Sequence, residues 1–274
     1  CGAGESTRTL ATAAAKKALE NAGLTAQQLD MIVVATCTPD NTFPSVAAQV
    51  HGDISAPSYC FAMDIQAACS GFLYALAVAD GFAKAGRATN VLVIGAETFT
   101  KLLDWSDRGT CFLFGDGAGA AVLQVSDKQG GLLDVKLHTD GSQEKLLISS
   151  GGTATTGTAG VVTMNGKEVY RHAVRAMGGV DEKWLQKHGV NVADVDWLIP
   201  HQANLRIIEA AAKAANMPME KVVVTVNRHA NTSGASIPLA LDTAWRDGRL
   251  KKGDTVLFQA FGAGFTWAEA VLTL

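Results

Sequence analysis

The feature that most constrains this chain is an internal repeat. A helix-like segment, ATAAAKKALENAG (11–23), runs through the link LTAQQLD into the apolar run MIVVATCT (31–38). The segments EVYRHAVRAM and DEKWLQKHGV, the link NVADVD and the run WLIPHQA (197–203) later repeat that order. The match continues. Cys69-Ser70-Gly71 opens an alanine-rich helix that ends in Gly86-Arg87 before NVLVIGAE, and Asn231-Thr232-Ser233-Gly234 opens one that ends in Gly248-Arg249 before DTVLFQAFG. Self-similarity on this scale means that one α/β unit is used twice and that the copies pack on each other.

Runs of unbroken apolar character such as MIVVA, VLVIG, KVVVTV and TVLFQAF predict parallel or mixed strands covered on both faces. Helices alternating with such strands must pack on the sheets. LYALAVADGFAKA, apolar nearly all round, is expected between the sheets. The halves divide at 1–125 and 126–274, and 274 residues at 48% hydrophobic content supply the core this requires. The second copy is preceded by a strand-like GGLLDVKLHTD, whereas the first begins almost at its helix, so an opening strand and its connection are expected to precede the sequence shown.

A net charge of -3 with 18% charged residues points away from nucleic acid and anionic membranes and towards a small molecule or a protein as partner. The five cysteines, Cys1, Cys37, Cys60, Cys69 and Cys111, are odd in number and never spaced C-x-x-C. That predicts neither a disulfide framework nor a zinc site, but a reducing cytoplasm. The start CGAGESTRTL has neither the basic residues nor the apolar run of a signal peptide, and no apolar stretch is long enough to span a bilayer.

Three residues carry the chemistry. Cys69 lies between the strand-like CFAMDI and the helix begun by SGFLYAL. An isolated cysteine is most often structural, but a thiol at a helix N-terminus meets unpaired N–H groups and the positive end of the macrodipole, which favour thiolate. The small neighbours Ala67, Ala68, Ser70 and Gly71 let a substrate approach. His201 follows WLIP at a strand end, where α/β sheets place ligands; His51, His138, His172, His188 and His229 are expected to be structural. Asn231 before Thr-Ser is an ordinary helix cap. In the repeat it takes the place of Cys69 and should approach the same pocket from the other side. The glycine run GDGAGAAV lacks the strand-helix context and the acidic residue of a dinucleotide fingerprint and is expected to be a tight inter-strand turn shaping the active-site wall.

Together DIQAACSGF, DRGT-x-FLFGDGAGAAVL, PHQANLRII, NTSGAS and FGAGFTW resemble the ketoacyl-acyl-carrier-protein synthase III family of the thiolase-like superfamily, over nearly the whole chain. The resemblance implies a five-layered αβαβα fold of two pseudo-repeated halves with mixed sheets. It implies that Cys69 takes an acyl group from acyl-CoA, acetyl-CoA by default, and that malonyl on acyl carrier protein is decarboxylated with His201 and Asn231 as donors to the enolate. Condensation gives a β-ketoacyl-acyl carrier protein with no cofactor, and the oxyanion meets the backbone N–H groups of Cys69 and Ala263. By the same resemblance Arg108 contacts the adenine end of CoA, Asn204 holds the pantetheine arm, and Ala203, Ile207 and Tyr170 line the tunnel. Arg206, Arg171 and Lys213 form a basic rim for the acidic carrier protein; an ordinary solvated surface is the alternative for Lys213. The family's other adenine-clamping residues belong to a region N-terminal to the sequence shown. NVLVIGAE is expected to continue a sheet across a homodimer, with Phe43 reaching the partner's pocket.

A cysteine peptidase shares the order Cys, His, Asn, but AACSGF lacks the papain-type flanks. A degradative thiolase needs a second cysteine near the C-terminus, whereas the last is Cys111. An elongating synthase would have His at 231, and a hydroxymethylglutaryl-type synthase a Glu base near Cys69, where the sequence has none. A starter enzyme for a polyketide or quinolone-type product would keep the same triad. A scaffold that has lost catalysis would not be expected to keep it.

Overall fold

A computed structural model describes residues 1–127 and 130–274. The first half holds α1 (Thr7–Ala22), β1 (Met31–Ala35), α2 (Val46–Asp53), β2 (Phe61–Ile65), α3 (Gly71–Lys84), β3 (Asn90–Thr98) and β4 (Asp116–Gln124). The second holds β5 (Gly131–Thr139), a small hairpin of β6 (Leu147–Ser149) and β7 (Val162–Met164), α4 (Gly166–Ala176), α5 (Glu182–Lys187) and β8 (Trp197–Pro200). It ends with α6 (Leu205–Ala214), α7 (Val226–His229), α8 (Ser236–Arg246), β9 (Thr255–Gly262) and β10 (Thr266–Thr273). Helix α1 shows why the local sequence suffices to set its ends. Ser6 and Thr9 form a reciprocal capping box at its start, and Gly23, left-handed at φ 66°, closes it.

The first sheet runs β2-β1-β3-β4, the second β5-β10-β9-β8. Strands β2, β1 and β3 are parallel, as are β8 and β9, while β4 and β10 are antiparallel to their neighbours. Five layers result: α1 and α2, the first sheet, α3 with α8, the second sheet, then α4 to α6. The continuous apolar strands follow from this stacking. Along β1, Ile32 and Val34 pack towards α1 and α2, whereas Met31, Val33 and Ala35 enter the central core with Phe72, Leu73, Ile237 and Phe258. Beyond the second sheet, Leu198, Leu257 and Val271 meet Leu185 and Ile208. Among the described residues no helix is long and apolar enough to cross a membrane.

Several expectations change. KVVVTV (221–226) lies where its repeat partner β2 lies, beside β8, but only Val222 bridges, to Leu198, because 3-10 structure (Met219–Lys221) and α7 close in on both sides. Two glycines of GDGAGAAV, Gly117 and Gly119, are not in a turn but in β4, with Gly115 just before it; a Cβ on Gly119 would stand 2.8 Å from Pro238 and one on Gly117 2.9 Å from Leu239. Glycine there lets α8 lie directly on the sheet. NVLVIGAE is β3, with β1 on one side and β4 on the other, so it has no free edge with which to extend a sheet across a dimer. β2 is an outer strand paired only to β1. Strand β5 flanks β10, and no counterpart flanks β4 among the described residues.

Candidate active site

Cys69 sits on the single 3-10 turn Ala68–Ser70 that leads into α3. Ala68 holds φ 46°, a left-handed conformation costly for a residue with a Cβ. The second half clamps the turn: Ser70 Oγ donates to Thr266 O (3.1 Å), and Thr266 Oγ1 donates to Ala67 O (2.8 Å). Gly262 closes the approach, since a Cβ there would lie 2.6 Å from Cys69 N. The other half has a matching turn, Ser233–Ala235, before α8, with Ser233 at φ 48°. Matching the two turns at their left-handed residues, Ala68 and Ser233, pairs Cys69 with Gly234, and Asn231 falls three residues earlier than the repeat had suggested.

Asn231 nevertheless reaches the pocket of Cys69. Its Oδ1 accepts from Ser233 N (2.8 Å), which leaves the amide NH2 free to point into the cleft. Its backbone is pinned to the loop before β4, N–H to Leu113 O and C=O to Gly115 N, both at 2.9 Å. His201, 2% exposed at the end of β8, is fixed by its own N–H to Gln259 O (2.7 Å) and by Ser236 Oγ at 2.7 Å from Nδ1. Gln202 N donates to the same hydroxyl (3.3 Å). We therefore assign the hydroxyl proton to the bond with Nδ1, which puts the ring proton on Nε2, facing the cleft. Burial pushes His201 down to about 3, so the ring is neutral at neutral pH.

The Cys69 thiol departs from expectation. Burial pushes it up to about 12, with the charge of Glu97 acting the same way and the Ser233 hydroxyl and the Cys69 N–H opposing. Desolvation outweighs the helix start. A second correction concerns Glu97 itself. No glutamate is near Cys69 in sequence, yet the end of β3 brings fully buried Glu97 within electrostatic reach of it. The signal was a carboxylate at the end of an otherwise apolar strand that has both faces covered.

Cys69, His201 and Asn231 line one cleft of about 590 Å³. Leu113, Phe114, Met164, Val169, Met177 and Phe261 add apolar lining, and of these the sequence had marked none. Tyr170, Ala203, Asn204 and Ile207 line it too. The Asn204 Oδ1 caps α6 by accepting from Ile207 N (3.0 Å). Ala263 follows Gly262 in the β9–β10 turn, and the N–H groups of Cys69 and Ala263 bond to no backbone carbonyl among the described residues. Arg108 is exposed and, like Phe43 at 84% exposure, lies outside the cleft lining. Arg206 and Lys213 are exposed on α6, two turns apart. Arg171 is exposed on α4 and paired with Glu168 at 2.9 Å. All five cysteines are free thiols.

The arrangement supplies a buried thiol, two neutral donors lining the same cleft, and backbone N–H groups without a backbone partner. Those are the parts that acyl transfer and stabilisation of an enolate require. The sequence profile of 3-oxoacyl-[acyl-carrier-protein (ACP)] synthase III matches residues 63–141, and that of the C-terminal part of the same family matches residues 185–274. The β-ketoacyl-[acyl-carrier-protein] synthase III of Erythrobacter litoralis is 54% identical over 99% of this chain and 85% of its own length. That of Novosphingobium aromaticivorans is 52% identical over 98% and 85%. Among solved structures, the Aquifex aeolicus 3-oxoacyl-[acyl-carrier-protein] synthase III superposes with a TM-score of 0.92 at 45% identity, covering 99% of this chain and 85% of its own. The priming β-ketosynthase of the R1128 polyketide pathway superposes at 0.91 with 35% identity, covering 100% and 83%.

Proposed function

The chain belongs to the 3-oxoacyl-[acyl-carrier-protein] synthase III family, and from that premise we propose how its cleft carries out the family's reaction. The enzyme joins an acyl-CoA to malonyl-acyl carrier protein with loss of CO2, giving the β-ketoacyl-acyl carrier protein that starts fatty acid synthesis. Identity of 54% to a synthase III of this type, against 35% to the polyketide priming enzyme, favours the fatty acid role over the polyketide one.

Cys69 attacks the acyl-CoA carbonyl, expels CoA and keeps the acyl group as a thioester. Malonyl-carrier protein then enters. As its C–C bond to the carboxylate breaks, negative charge grows on the thioester oxygen, where the Nε2–H of His201 and the amide of Asn231 donate. A neutral imidazole suits this task, because it donates a hydrogen bond without giving up a proton to the enolate. The carbanion attacks the acyl-Cys69 carbonyl, and the tetrahedral oxyanion takes the N–H groups of Cys69 and Ala263. Collapse of that intermediate frees the β-ketoacyl product and returns the cysteine. Each charge that develops has a donor from this chain, so the sequence of steps calls for no cofactor.

Ala203, Ile207 and Tyr170 guide the pantetheine arm, with the NH2 of Asn204 as its donor. Arg206 and Lys213, with Arg171 across the mouth, offer the carrier protein a basic rim, and Arg108 takes the adenine end of CoA. A homodimer forms through the open edge of β2 rather than through β3, and it covers Phe43; light scattering showing only monomer in the active enzyme would refute it. Five free thiols suit a reducing cytoplasm. The observation that supports the catalytic roles is the convergence of Cys69, His201 and Asn231 on one cleft with their donor atoms turned inward. Mass spectrometry after acetyl-CoA tests them. An acetyl adduct on Cys69, absent in Cys69→Ser, is expected, and its absence from the wild type would overturn the mechanism.

A further inference from the structure

Glu97 is a buried carboxyl that the reaction above does not use. It is 0% exposed at the end of β3, and its Oε2 is saturated, accepting from Thr38 Oγ1 (2.7 Å), Cys37 N (3.0 Å) and Thr36 Oγ1 (3.3 Å). Oε1 has only the long arm of the forked bond from Cys37 N (3.2 Å) and faces the other way, 3.6 Å from where a Cβ of Gly234 would stand. The same Cβ position is 3.4 Å from Ala68 O, so the Ser233–Gly234 backbone runs between the carboxyl and the residue preceding the nucleophile. Ser233 Oγ is fully buried and closes no hydrogen bond in this geometry. It nevertheless lies near enough to favour the charged forms of both Cys69 and Glu97. A buried hydroxyl left unpartnered is costly, and one that acts on both a thiol that must ionise and a carboxyl with a free lone pair has a use.

Taking Cys69 as the acyl carrier, we propose that Glu97 is the proton acceptor for its thiol during acyl transfer, with Ser233 relaying the proton. The Cys69 S–H bond breaks as sulfur bonds the acyl carbon. The proton passes to Ser233 Oγ while the Ser233 hydroxyl proton moves to Glu97 Oε1. The C–S bond of acyl-CoA breaks, and CoA leaves as a thiolate that is protonated by solvent. When the condensation step expels Cys69 as a thiolate, the proton returns along the same path, so the relay is reset once per turnover and consumes nothing.

The proton balance supports this. Neutral His201 is spoken for as an enolate donor, and the thiol held near 12 needs an acceptor. Burial pushes Glu97 up to about 7, against the pull of Thr38, Cys37, Ser233 and Thr36, which makes it a stronger base than an exposed carboxylate. The titratable groups acting around it are Cys37, from the loop after β1, and Cys69, from the turn before α3. Across the sheet, Asp116 on β4 stands opposite Thr98 and is held by Thr100 and the N-terminal ammonium.

The test is the rate of acetyl-Cys69 formation from acetyl-CoA as a function of pH, read by quenched-flow mass spectrometry, in wild type, Glu97→Gln and Ser233→Ala. Wild-type acylation should rise with pH through about 7, where Glu97 ionises. Both variants should acylate at least about 100-fold more slowly at neutral pH and lose that inflection. Glu97→Asp should restore the inflection in part, a result that a purely structural role would not produce. A variant that folds and keeps the wild-type rate and inflection would overturn the relay. Ser233→Ala decides alone if Glu97→Gln does not fold. Absence of any adduct on wild-type Cys69 would instead overturn the acyl-carrier assignment beneath it.

Discussion

Gly262→Ala is the sharpest probe of how the nucleophile is held. The added methyl would stand 2.6 Å from Cys69 N, 3.2 Å from Cys69 Cα and 3.2 Å from Ala68 Cβ. Two of those atoms are backbone, and the turn they belong to is already pinned at Ala67 and Ser70 by Thr266. Ordinary carbon contact begins near about 3.5 Å, so either the Cys69 turn or the β9–β10 turn must move by most of an ångström. Such a displacement costs roughly 100-fold where reacting atoms need alignment. Here it also moves the Cys69 N–H, and loss of one oxyanion donor costs about 100- to 1,000-fold. The expected outcome is a fall of that size in acetyl-Cys69 formation, measured by stopped-time mass spectrometry, in a protein that still folds by circular dichroism. Ala263→Gly, which keeps the N–H and adds no atom, should stay within about threefold. A Gly262→Ala enzyme that acylates at the wild-type rate would refute the close approach and the oxyanion role drawn from it.

Ser236→Ala removes the partner of His201 Nδ1 and should slow malonyl-carrier protein decarboxylation by about 10- to 100-fold, the equivalent of one buried acceptor left unsatisfied at about 1–3 kcal/mol. Ser236→Thr should restore it, and an equal loss in Cys69 acylation would refute the division of roles. Asn231→Ala should still take an acetyl adduct while releasing CO2 from malonyl-carrier protein at least about 100-fold more slowly; a block in acylation alone would show its role to be wrongly assigned. Stability should also report the neutral His201. Its folded value, about 3, lies below its ordinary 6.5, so its contribution is complete above the ordinary value and drains as pH falls towards about 3. The Tm advantage of wild type over His201→Gln should therefore narrow between pH 7 and pH 4, and a constant gap would count against a buried neutral ring.

What the sequence made legible and what it hid divide along a physical line. The strands MIVVA and TVLFQAF, the helix from Cys69-Ser-Gly and the doubling of the unit were legible because periodicity and capping are local, and a strand covered on both faces shows it in every residue. KVVVTV had the same composition but gained only one bridge, because the 3-10 structure before it and α7 after it, not its own propensity, decide how much strand can form. The expectation that NVLVIGAE continues a sheet across a homodimer fails because nothing in its residues says how many neighbours β3 has; order in a sheet is a property of the assembled layers.

The site divides the same way. Cys69, His201 and Asn231 each stand at a recognisable junction, so they could be named from sequence. The ionisation of Cys69 could not, since the helix start argues for thiolate and only the packed structure shows that burial wins. Alignment by sequence also put Asn231 in the place of Cys69, whereas the left-handed residues Ala68 and Ser233 show that Gly234 is its true counterpart. That shift of three residues has a chemical consequence. Gly95 on β3 is what lets the second turn come so close, since a Cβ there would stand 2.3 Å from Gly234 O, and Ser233 lies beside that contact. A Cβ at 234 itself would meet only ordinary contacts, 3.4 Å from Ala68 O and 3.6 Å from Glu97 Oε1, so it takes a branched side chain there to press the carboxyl and the thiol apart. Gly234→Val should therefore depress Cys69 acylation more than it depresses malonyl decarboxylation, and equal losses in the two half-reactions would show that the turn serves only to hold the fold.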